Sequence, residues 1–562
     1  MQPASAPAIK VSQILIGHLS TASYQARAGC RYAASLVHYS DAHKIDGLAQ
    51  RTGIGIATYN AISKTAAGGL AMTDGGFVLN RRTWLAGASS LGAVGLLPLG
   101  GCSFESLPPL SLDGRVITPS AADYEAWRTG VVWQSRKPVR KPAMIVRPNT
   151  VEAVQQAVAY ARANKLKVST KSSGHNLWGN YLRDEGMLID MWNFRKVEIE
   201  PGGESAWIEP SVWSRDIMVA LGKQGRAFPA AHCASVGMGG YLLGGGVGLN
   251  WENWGGLSAH SIIGAEVVTA DGKLRMIDDA NDSDLAWALR GAGNGFPGIV
   301  TRFHVKTYAA PKIVTSATYI FPALRTGETI AWLEDMKARG MLAGCEPLII
   351  LAHSPMAAPD ATGPEAKACV ARINLFGTSE AAVAKQLAAI AAEPIAATAL
   401  MKVPREDWSF EKSYFETLNY KGAFNYGFFG VDSIWTNRSA EALPVLAQQF
   451  LDSPGPGSHV VMSLIDPAPH PANAAARIHG KLYIGVYSIG DTPEKGEAAI
   501  GWLRKTSDAL APYASGRYIN EIDVERDVAQ VASCFAPDDW KRLQAVRSKY
   551  DPDGIFQSYL GT

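Results

Sequence analysis

Two candidate nucleophiles stand in glycine-containing segments of this sequence. His175 lies in the stretch Lys171-Ser-Ser-Gly-His-Asn176, which follows a predicted strand. Small residues there let backbone N–H groups approach an anion such as a pyrophosphate. Cys233 heads a longer glycine series that ends at Gly248. Each is weak evidence alone, because such a histidine is usually structural and a free cysteine is usually a small buried hydrophobe.

The series after Cys233 is dense in glycine and has apolar residues between the glycines. That density argues against a regular helix, and the apolar residues argue against a flexible linker. Such a segment can wrap closely round a flat ligand.

Two further segments complete the candidate site. Asp284–Thr301 predicts a short helix, a glycine loop and a strand, which is a plausible cofactor contact. Tyr518-Ile-Asn520-Glu521 lies near the carboxyl end. A lone glycine-rich loop is common, so the weight lies on the four segments together.

Composition limits the classes of function. A chain of 562 residues is too long for one ordinary domain. Hydrophobic and charged fractions of 47% and 19% are those of a soluble globular protein, and a net charge of +2 does not favour nucleic acid as a partner. Six cysteines are too few for a disulfide scaffold. A Cys345–Cys369 link is conceivable, but nothing in the sequence supports it.

The predicted elements form two groups. Strands alternate with a helix between 143 and 209, which indicates an α/β layer. Between about 313 and 516, longer strands are interspersed with helices, which indicates an α+β domain on a broad antiparallel sheet. The last forty or so residues are predicted to form short elements.

In this order and spacing, the four segments resemble the berberine-bridge-enzyme-like branch of the vanillyl-alcohol-oxidase flavoproteins. The resemblance covers about 120–562. It implies an α+β fold: a two-subdomain PCMH-type FAD-binding domain (115–312) and a substrate domain whose large antiparallel sheet is flanked by helices (313–516). A C-terminal segment, 517–562, would complete the FAD domain.

The resemblance also implies covalent FAD, with His175 bonded to the 8α carbon of the flavin and Cys233 bonded to its C6. Tyr518 and Asn520 would lie beside the flavin. The residues that the resemblance places at the cofactor are Lys171, Ser172, Ser173, Gly174, His175, Asn176, Cys233, Val236, Gly237, Gly239, Gly240, Gly244, Gly298, Ile299, Val300 and Asn520.

The catalytic base is where this sequence departs from the family pattern. A flavin accepts a hydride, and the matching substrate proton needs a base. Many members have a tyrosine where Glu521 stands. A carboxylate can serve, with its pKa raised in an apolar pocket. If Glu521 is instead a solvated rim residue, the candidates become Tyr518, Asp432 and Tyr426. Tyr241 replaces the family's usual histidine, which leaves the role of that position open.

The expected reaction is hydride transfer from an alcohol, sugar or oligosaccharide to FAD. In this family a valine at the position of Val236 leaves room for O2, which favours an oxidase that produces H2O2, although this residue also fits ordinary packing. One alternative is a dehydrogenase that passes electrons to a quinone or cytochrome. Another is a flavin-carrying binding protein with little catalysis.

The amino-terminal region resembles an export signal. Arg81 and Arg82 precede an apolar run that ends at Leu99, which predicts a twin-arginine signal over 72–102. The alternative is a buried helix with a chance arginine pair. Cys102 resembles a lipoprotein cleavage site, with a structural cysteine as the rival. The expected location is periplasmic, extracellular or membrane-anchored, and twin-arginine export suits a protein that acquires covalent FAD before transport.

Translation is expected to start at Met72, because such signals begin a few residues before the arginines. Residues 1–71 lack a repeat or a continuous amphipathic pattern. They are therefore predicted to be a non-native or disordered extension.

Overall fold

The structure, a computed structural model, describes residues 107–418, 427–466 and 470–559. The strands of these ranges are β1 (Gly114–Ile117), β2 (Met144–Pro148), β3 (Val168–Lys171), β4 (Met187–Asp190), β5 (Val197–Ile199), β6 (Ser205–Ile208), β7 (Arg226–Ala227), β8 (Ile262–Val268), β9 (Leu274–Ile277), β10 (Ile299–Lys306), β11 (Tyr308–Ala309), β12 (Ile313–Pro322), β13 (Cys345–His353), β14 (Lys367–Gly377), β15 (Met401–Asp407), β16 (Phe428–Thr436), β17 (His459–Leu464) and β18 (Leu482–Gly490). The α-helices are α1 (Tyr124–Gly130), α2 (Val151–Ala163), α3 (Ser214–Gly222), α4 (Met238–Leu243), α5 (Ser283–Leu289), α6 (Thr326–Ala338), α7 (Glu380–Ala391), α8 (Pro394–Ala397), α9 (Phe410–Leu418), α10 (Ser439–Leu451), α11 (Pro493–Leu510) and α12 (Pro537–Tyr550).

Two larger sheets and the two-stranded sheet β11-β7 form the first half of this region. One larger sheet has the order β1-β2-β4-β3, with β2, β4 and β3 parallel, and the other is antiparallel with the order β5-β6-β10-β8-β9. Helix α2 crosses between β2 and β3, and the Thr150 side chain caps it by accepting from the Ala153 N–H at 3.2 Å. The crossover directs the end of β3 toward the loop that begins at Lys171.

The second half is built on a seven-stranded antiparallel sheet with the order β15-β12-β14-β13-β17-β18-β16. Helices α6, α10 and α11 pack together, and α11 packs on β16 and β18. The architecture confirms the predicted α+β fold with a large antiparallel sheet flanked by helices. Because side chains alternate along a strand, the other face of this sheet is available to form a wall of the site.

The carboxyl-terminal residues return to the first sheet. The Val168 N–H donates to the Ile555 carbonyl and the Gln557 N–H to the Val168 carbonyl, both at 2.8 Å, so the tail lies along β3. The Asp551 carboxylate accepts from the Ile555 and Phe556 N–H groups at 2.7 and 2.8 Å. The tail therefore contacts the strand from which the candidate phosphate loop emerges.

Two expectations need correction, and one open possibility is settled. The glycine series contains a short helix, α4, although its composition argued against one. The segment 537–550 is a helix of 14 residues rather than a set of short elements. Cys345, Cys369 and Cys534 are buried free thiols, so the Cys345–Cys369 link does not form.

Several sequence predictions fall outside the described ranges. These are the start at Met72, the arginine pair Arg81–Arg82, Cys102 and the alternative base Tyr426. Within 107–418, 427–466 and 470–559, no helix is both long and apolar enough to cross a membrane. The domain boundaries at 312/313 and 516/517 stay predictions.

Candidate active site

A cavity of about 1200 Å³ brings the four sequence segments together with the face of the seven-stranded sheet. The loop after β3, the α4 segment, the start of β10 and the residues around Tyr518 line one side. The sheet side chains that line the other are Leu348, Ile350, Ala352, Arg372, Asn374, Phe429, Val431, His459, Val461, Tyr487 and Ile489. Typical small-molecule pockets have volumes of about 300–1,000 Å³. This cavity is larger, which leaves room for a cofactor and a second molecule.

The loop Lys171–Asn176 lines the cavity, and its backbone leaves donors available. No acceptor in the described chain pairs with the N–H groups of Ser172 to Asn176. Gly174 has φ +79°, and a Cβ there would lie 2.3 Å from the Val131 carbonyl oxygen, so this position requires glycine. Available N–H groups on a tight loop form an anion site of the kind the sequence predicts.

Side chains hold this loop in place. Lys171 Nζ lies 2.9 Å from the buried Asp190 carboxylate; burial lowers the pKa of Lys171 against the opposing effect of Asp190. Ser173 Oγ accepts from the Gly237 N–H at 2.9 Å, which joins the loop to the glycine series. Asn176 Oδ1 accepts from two N–H groups of the following turn at 3.2 and 3.1 Å. The loop is therefore fixed at both ends.

His175 and Cys233 meet in the cavity. The Cys233 Sγ lies 3.5 Å from His175 Nε2, and Ser235 Oγ lies 3.2 Å from the same nitrogen. The Trp133 ring packs on the imidazole, with centroids 4.1 Å apart. Burial acts to raise the pKa of the Cys233 thiol, but His175 and Ser235 outweigh it and lower that pKa from 9.0 to about 7. A substantial fraction of the thiol is thus thiolate, the nucleophilic form, at neutral pH.

The glycine series brings backbone close to the cavity. Val236, Gly237, Gly239 and Gly240 line it, and a Cβ on Gly240 would meet nothing within 4 Å. Gly244 does not line the cavity among the described residues; a Cβ there would lie 2.0 Å from the Asn520 side-chain oxygen. Gly244 therefore acts through Asn520 instead of facing the ligand space.

The segment before β10 lies at the cavity. Gly298, Ile299 and Val300 all line the cavity. A Cβ on Gly298 would come within 2.7 Å of the Val267 side chain, so glycine lets this turn pack against β8. The turn consequently enters the cavity beside the loop after β3.

Glu521 lines the cavity and bonds to two tyrosines of β18. Tyr483 Oη donates to its Oε2, and Tyr487 bonds to the same carboxylate. Burial raises the pKa of Glu521, although these hydrogen bonds and the charge of His232 oppose it. Glu521 is thus held within the cavity wall by two phenols, which a solvated rim residue would not be.

Tyr518 and Asn520 form a fixed pair beside Glu521. The Tyr518 oxygen accepts from the Asn520 side-chain amide at 3.0 Å and from the Val247 N–H at 3.2 Å. The same amide also donates to the Tyr241 carbonyl at 3.2 Å. Burial raises the pKa of Tyr518, so its hydroxyl keeps its proton and is a poor base at neutral pH.

Asp432 is not in the cavity, which corrects its candidacy as base. On β16 the side chains of Phe429 and Val431 face the cavity, and Asp432 points to the opposite face. Its carboxylate is buried and accepts from Arg517 Nη1 at 2.9 and 2.8 Å. The pair fixes Arg517 just before Tyr518 and is structural.

Asp432→Asn is therefore expected to lower the free energy of unfolding by roughly 3–5 kcal/mol, because it leaves a buried arginine without its counter-charge. Substrate oxidation by the folded fraction should change by less than about tenfold, since the group does not touch the site. Urea unfolding and single-turnover kinetics measure the two effects. A loss of about 100-fold or more at unchanged stability would restore Asp432 as a base.

Several cavity residues have roles that the sequence did not predict. His232, next to Cys233, pairs with Glu346 at 3.1 Å, and Tyr483 and Tyr487 hold Glu521. Tyr241 donates to the Pro229 carbonyl at 2.7 Å and so braces the glycine series. His232 was visible as a titratable neighbour of Cys233, but Glu346 lies 114 residues away, so only the fold reveals the pair.

Comparison with known proteins finds FAD-linked proteins that are similar to this chain. The family described as "FAD binding domain" matches residues 142–278. FAD-linked oxidoreductase janO of Penicillium janthinellum is 36% identical over 231 residues, which are 41% of this chain and 51% of that protein, so the match spans about half of janO. Xylooligosaccharide oxidase of Thermothelomyces thermophilus is 26% identical over 479 residues, 79% of this chain and 92% of that protein.

A solved structure, 6-hydroxy-D-nicotine oxidase from Arthrobacter nicotinovorans, has the same fold. It superposes with a TM-score of 0.68 at 24% identity and covers 80% of this chain and 98% of its own. The sequence matches identify the chain as an FAD-dependent oxidoreductase. In sequence and fold it is similar to berberine-bridge-enzyme-like, PCMH-type FAD-linked oxidoreductases.

Proposed function

We propose that this protein is an oxidase that removes a hydride from an alcohol or carbohydrate substrate, with FAD bound covalently by His175 and Cys233. The observation that carries the proposal is the meeting of these two nucleophiles, 3.5 Å apart, with Glu521 in one cavity. The O2-dependent half of the reaction rests on Val236, which lines the same cavity.

The described residues fit FAD at both ends of the cavity. The N–H groups of the loop Lys171–Asn176 suit its diphosphate, because Lys171 is already neutralised by Asp190 and the backbone supplies the donors. Gly240 offers open space for close approach of a flat ring, and His175 and Cys233 are the side chains to attach it. When bound, FAD supplies the two-electron acceptor.

Side chains of the protein accept the substrate proton and orient the group that accepts it. Glu521 accepts the substrate hydroxyl proton as the hydride leaves the adjacent carbon, which converts the alcohol to a carbonyl. Tyr483 and Tyr487 orient the carboxylate. The two electrons and two protons removed from the substrate reduce O2 to H2O2 in the second half of the cycle.

Names of similar proteins support a range of substrates without selecting one. One relative is a xylooligosaccharide oxidase and another is (R)-6-hydroxynicotine oxidase. For this chain, the polar sheet side chains Arg372 and Asn374 in the cavity support a substrate with several hydrogen-bonding groups.

A substrate panel tests the proposal. Alcohols, sugars and oligosaccharides are added to the flavoprotein without oxygen, and bleaching of the visible flavin absorption identifies a substrate. Air is then admitted. Return of the absorption with stoichiometric H2O2 is expected; bleaching that air does not reverse, but a quinone does, would make the protein a dehydrogenase. No bleaching with any compound would favour the binding-protein alternative.

We further propose export by the twin-arginine route, with Cys102 as a lipid-anchor site. Support comes from the sequence Arg81-Arg82 and the apolar run that follows. Mass spectrometry of the mature amino terminus tests both statements. An unprocessed terminus upstream of Met72 in the native protein would contradict them.

A further inference from the structure

An ion pair with a buried carboxylate lines the candidate site and has no part in the proposed reaction. His232 Nε2 lies 3.1 Å from Glu346 Oε1. The Asn250 N–H donates to the same oxygen at 3.2 Å, and the Asn374 side-chain amide donates to the other at 2.9 Å. Only 8% of the Glu346 side chain is exposed. Three donors on one buried carboxylate hold it in its ionised form.

His232 presents this pair to the cavity. Its side chain is 38% exposed and lines the cavity beside Cys233, whereas Glu346 lies behind it on β13. Although burial opposes the charged form, Glu346 outweighs it and raises the pKa of His232. His232 and Glu521 both line this cavity, and the charge of each favours the ionised form of the other.

Glu521 needs a compensating charge in this position. A carboxylate removed from water is expensive to ionise unless it is paired or hydrogen-bonded. Tyr483 and Tyr487 face it from β18 and Tyr518 from its own segment, and burial raises the pKa of all three, so they are neutral. They contribute hydrogen bonds and dipoles but no charge.

Another histidine of the cavity, His459, does not supply this charge either. His459 stacks on Tyr487 with ring centroids 5.0 Å apart, and burial lowers its pKa. His232 is therefore the cation among the described groups that act on Glu521.

We propose that His232, held by Glu346, is a positioning residue whose positive charge keeps Glu521 ionised and so available to accept a proton. The inference rests on the proposed function, in which Glu521 is the base. Three charged side chains, Glu346, His232 and Glu521, would then act together. Glu346 belongs to the seven-stranded sheet, and Glu521 to the carboxyl-terminal segment.

Electrostatics predicts the direction in which the pKa of Glu521 changes when His232 loses its charge. A nearby cation favours the ionised carboxylate, so removing it raises the pKa of Glu521. The His232→Gln side chain still donates to Glu346 but carries no charge. In His232→Gln we expect the titration midpoint of Glu521 to rise by about one pH unit. At a pH well below the midpoint, the ionised fraction of Glu521 would then be about tenfold smaller than in the wild type. The charge-retaining His232→Lys should stay close to wild type.

Infrared spectroscopy of the holoenzyme tests this without substrate. The carbonyl band of a protonated carboxyl group is followed against pH and assigned to Glu521 by its absence in Glu521→Gln. His459→Gln is the matched control: it removes a histidine of the same cavity that contacts Tyr487 but carries no charge. Its midpoint should equal that of wild type.

The variants separate charge from packing. An unchanged or lowered midpoint in His232→Gln, or an equal rise in His459→Gln and His232→Lys, would overturn the proposal. Failure of the proposed function is a different result: Glu521→Gln would then oxidise substrate at the wild-type rate. The infrared titration still reports on His232 in that case, because it measures Glu521 at equilibrium.

Discussion

Glu521→Gln is expected to slow anaerobic reduction of the flavin by substrate about 10²–10⁴-fold. Glutamine has the shape of glutamate and can bond to Tyr483 and Tyr487, so the cavity should keep its form. It cannot take up a proton at neutral pH, however, and the substrate hydroxyl loses its acceptor. Stopped-flow measurement of flavin bleaching gives the rate directly.

The pH dependence provides a second signature of the same residue. Because burial raises the pKa of Glu521, the ionised form is lost as pH falls through a value above the ordinary carboxyl range. The wild-type rate should therefore decline on the acid side of that value, and the decline should be absent in Glu521→Gln.

Tyr518→Phe is the matched comparison for this prediction. The Tyr518 oxygen already accepts two hydrogen bonds and its proton is held firmly, so we expect less than about a tenfold loss. A wild-type rate in Glu521→Gln together with a large loss in Tyr518→Phe would transfer the role of base to the tyrosine.

The parts of the site that the sequence predicts are those encoded by contiguous residues. The loop Lys171–Asn176 follows a strand whose bounds were close to the predicted ones, and a tight turn there requires Gly174. Short-range backbone geometry is thus enough to identify an anion loop. The residues around Cys233 and Tyr518 were identified mainly through their resemblance to motifs of the family, each of which lies on one stretch of chain.

The sequence does not predict to which face of the sheet a single side chain points. Asp432 and Val431 are adjacent on β16, and the register of the sheet decides which of the two faces the cavity. A register shift of one residue would exchange them. For the same reason the pair His232–Glu346 could not be predicted, because it needs β13 to lie behind the glycine series.

Local composition also led to a wrong prediction at α4, where no helix was expected. Glycine is unfavourable in helices, yet Gly239 lies within this one. A Cβ on Gly239 would lie 3.0 Å from the Pro210 side chain, so close packing of helix on loop favours glycine over a better helix former. Tertiary contact here outweighs intrinsic propensity.

Attachment of the cofactor gives the other large expected effect: His175→Ala and Cys233→Ala should each retain covalent FAD, and the double variant should retain none. Both nucleophiles reach the same part of the cavity, since Cys233 Sγ and His175 Nε2 are 3.5 Å apart. Either bond alone is therefore expected to hold the flavin. Intact-protein mass spectrometry after denaturation measures the bound FAD, and fluorescence on denaturing gels gives an independent signal.

Ser235→Ala is the control that separates attachment from contact. Ser235 lies 3.2 Å from His175 Nε2 and 3.7 Å from Cys233 Sγ, so it contacts both groups, but it forms no bond to FAD in the proposed scheme. This variant should keep the covalent mass. Covalent FAD in the double variant would mean that another side chain attaches it, and complete loss in one single variant would mean that only that residue does. Because the thiolate fraction of Cys233 depends on His175, slower cysteinyl attachment in His175→Ala is expected as well.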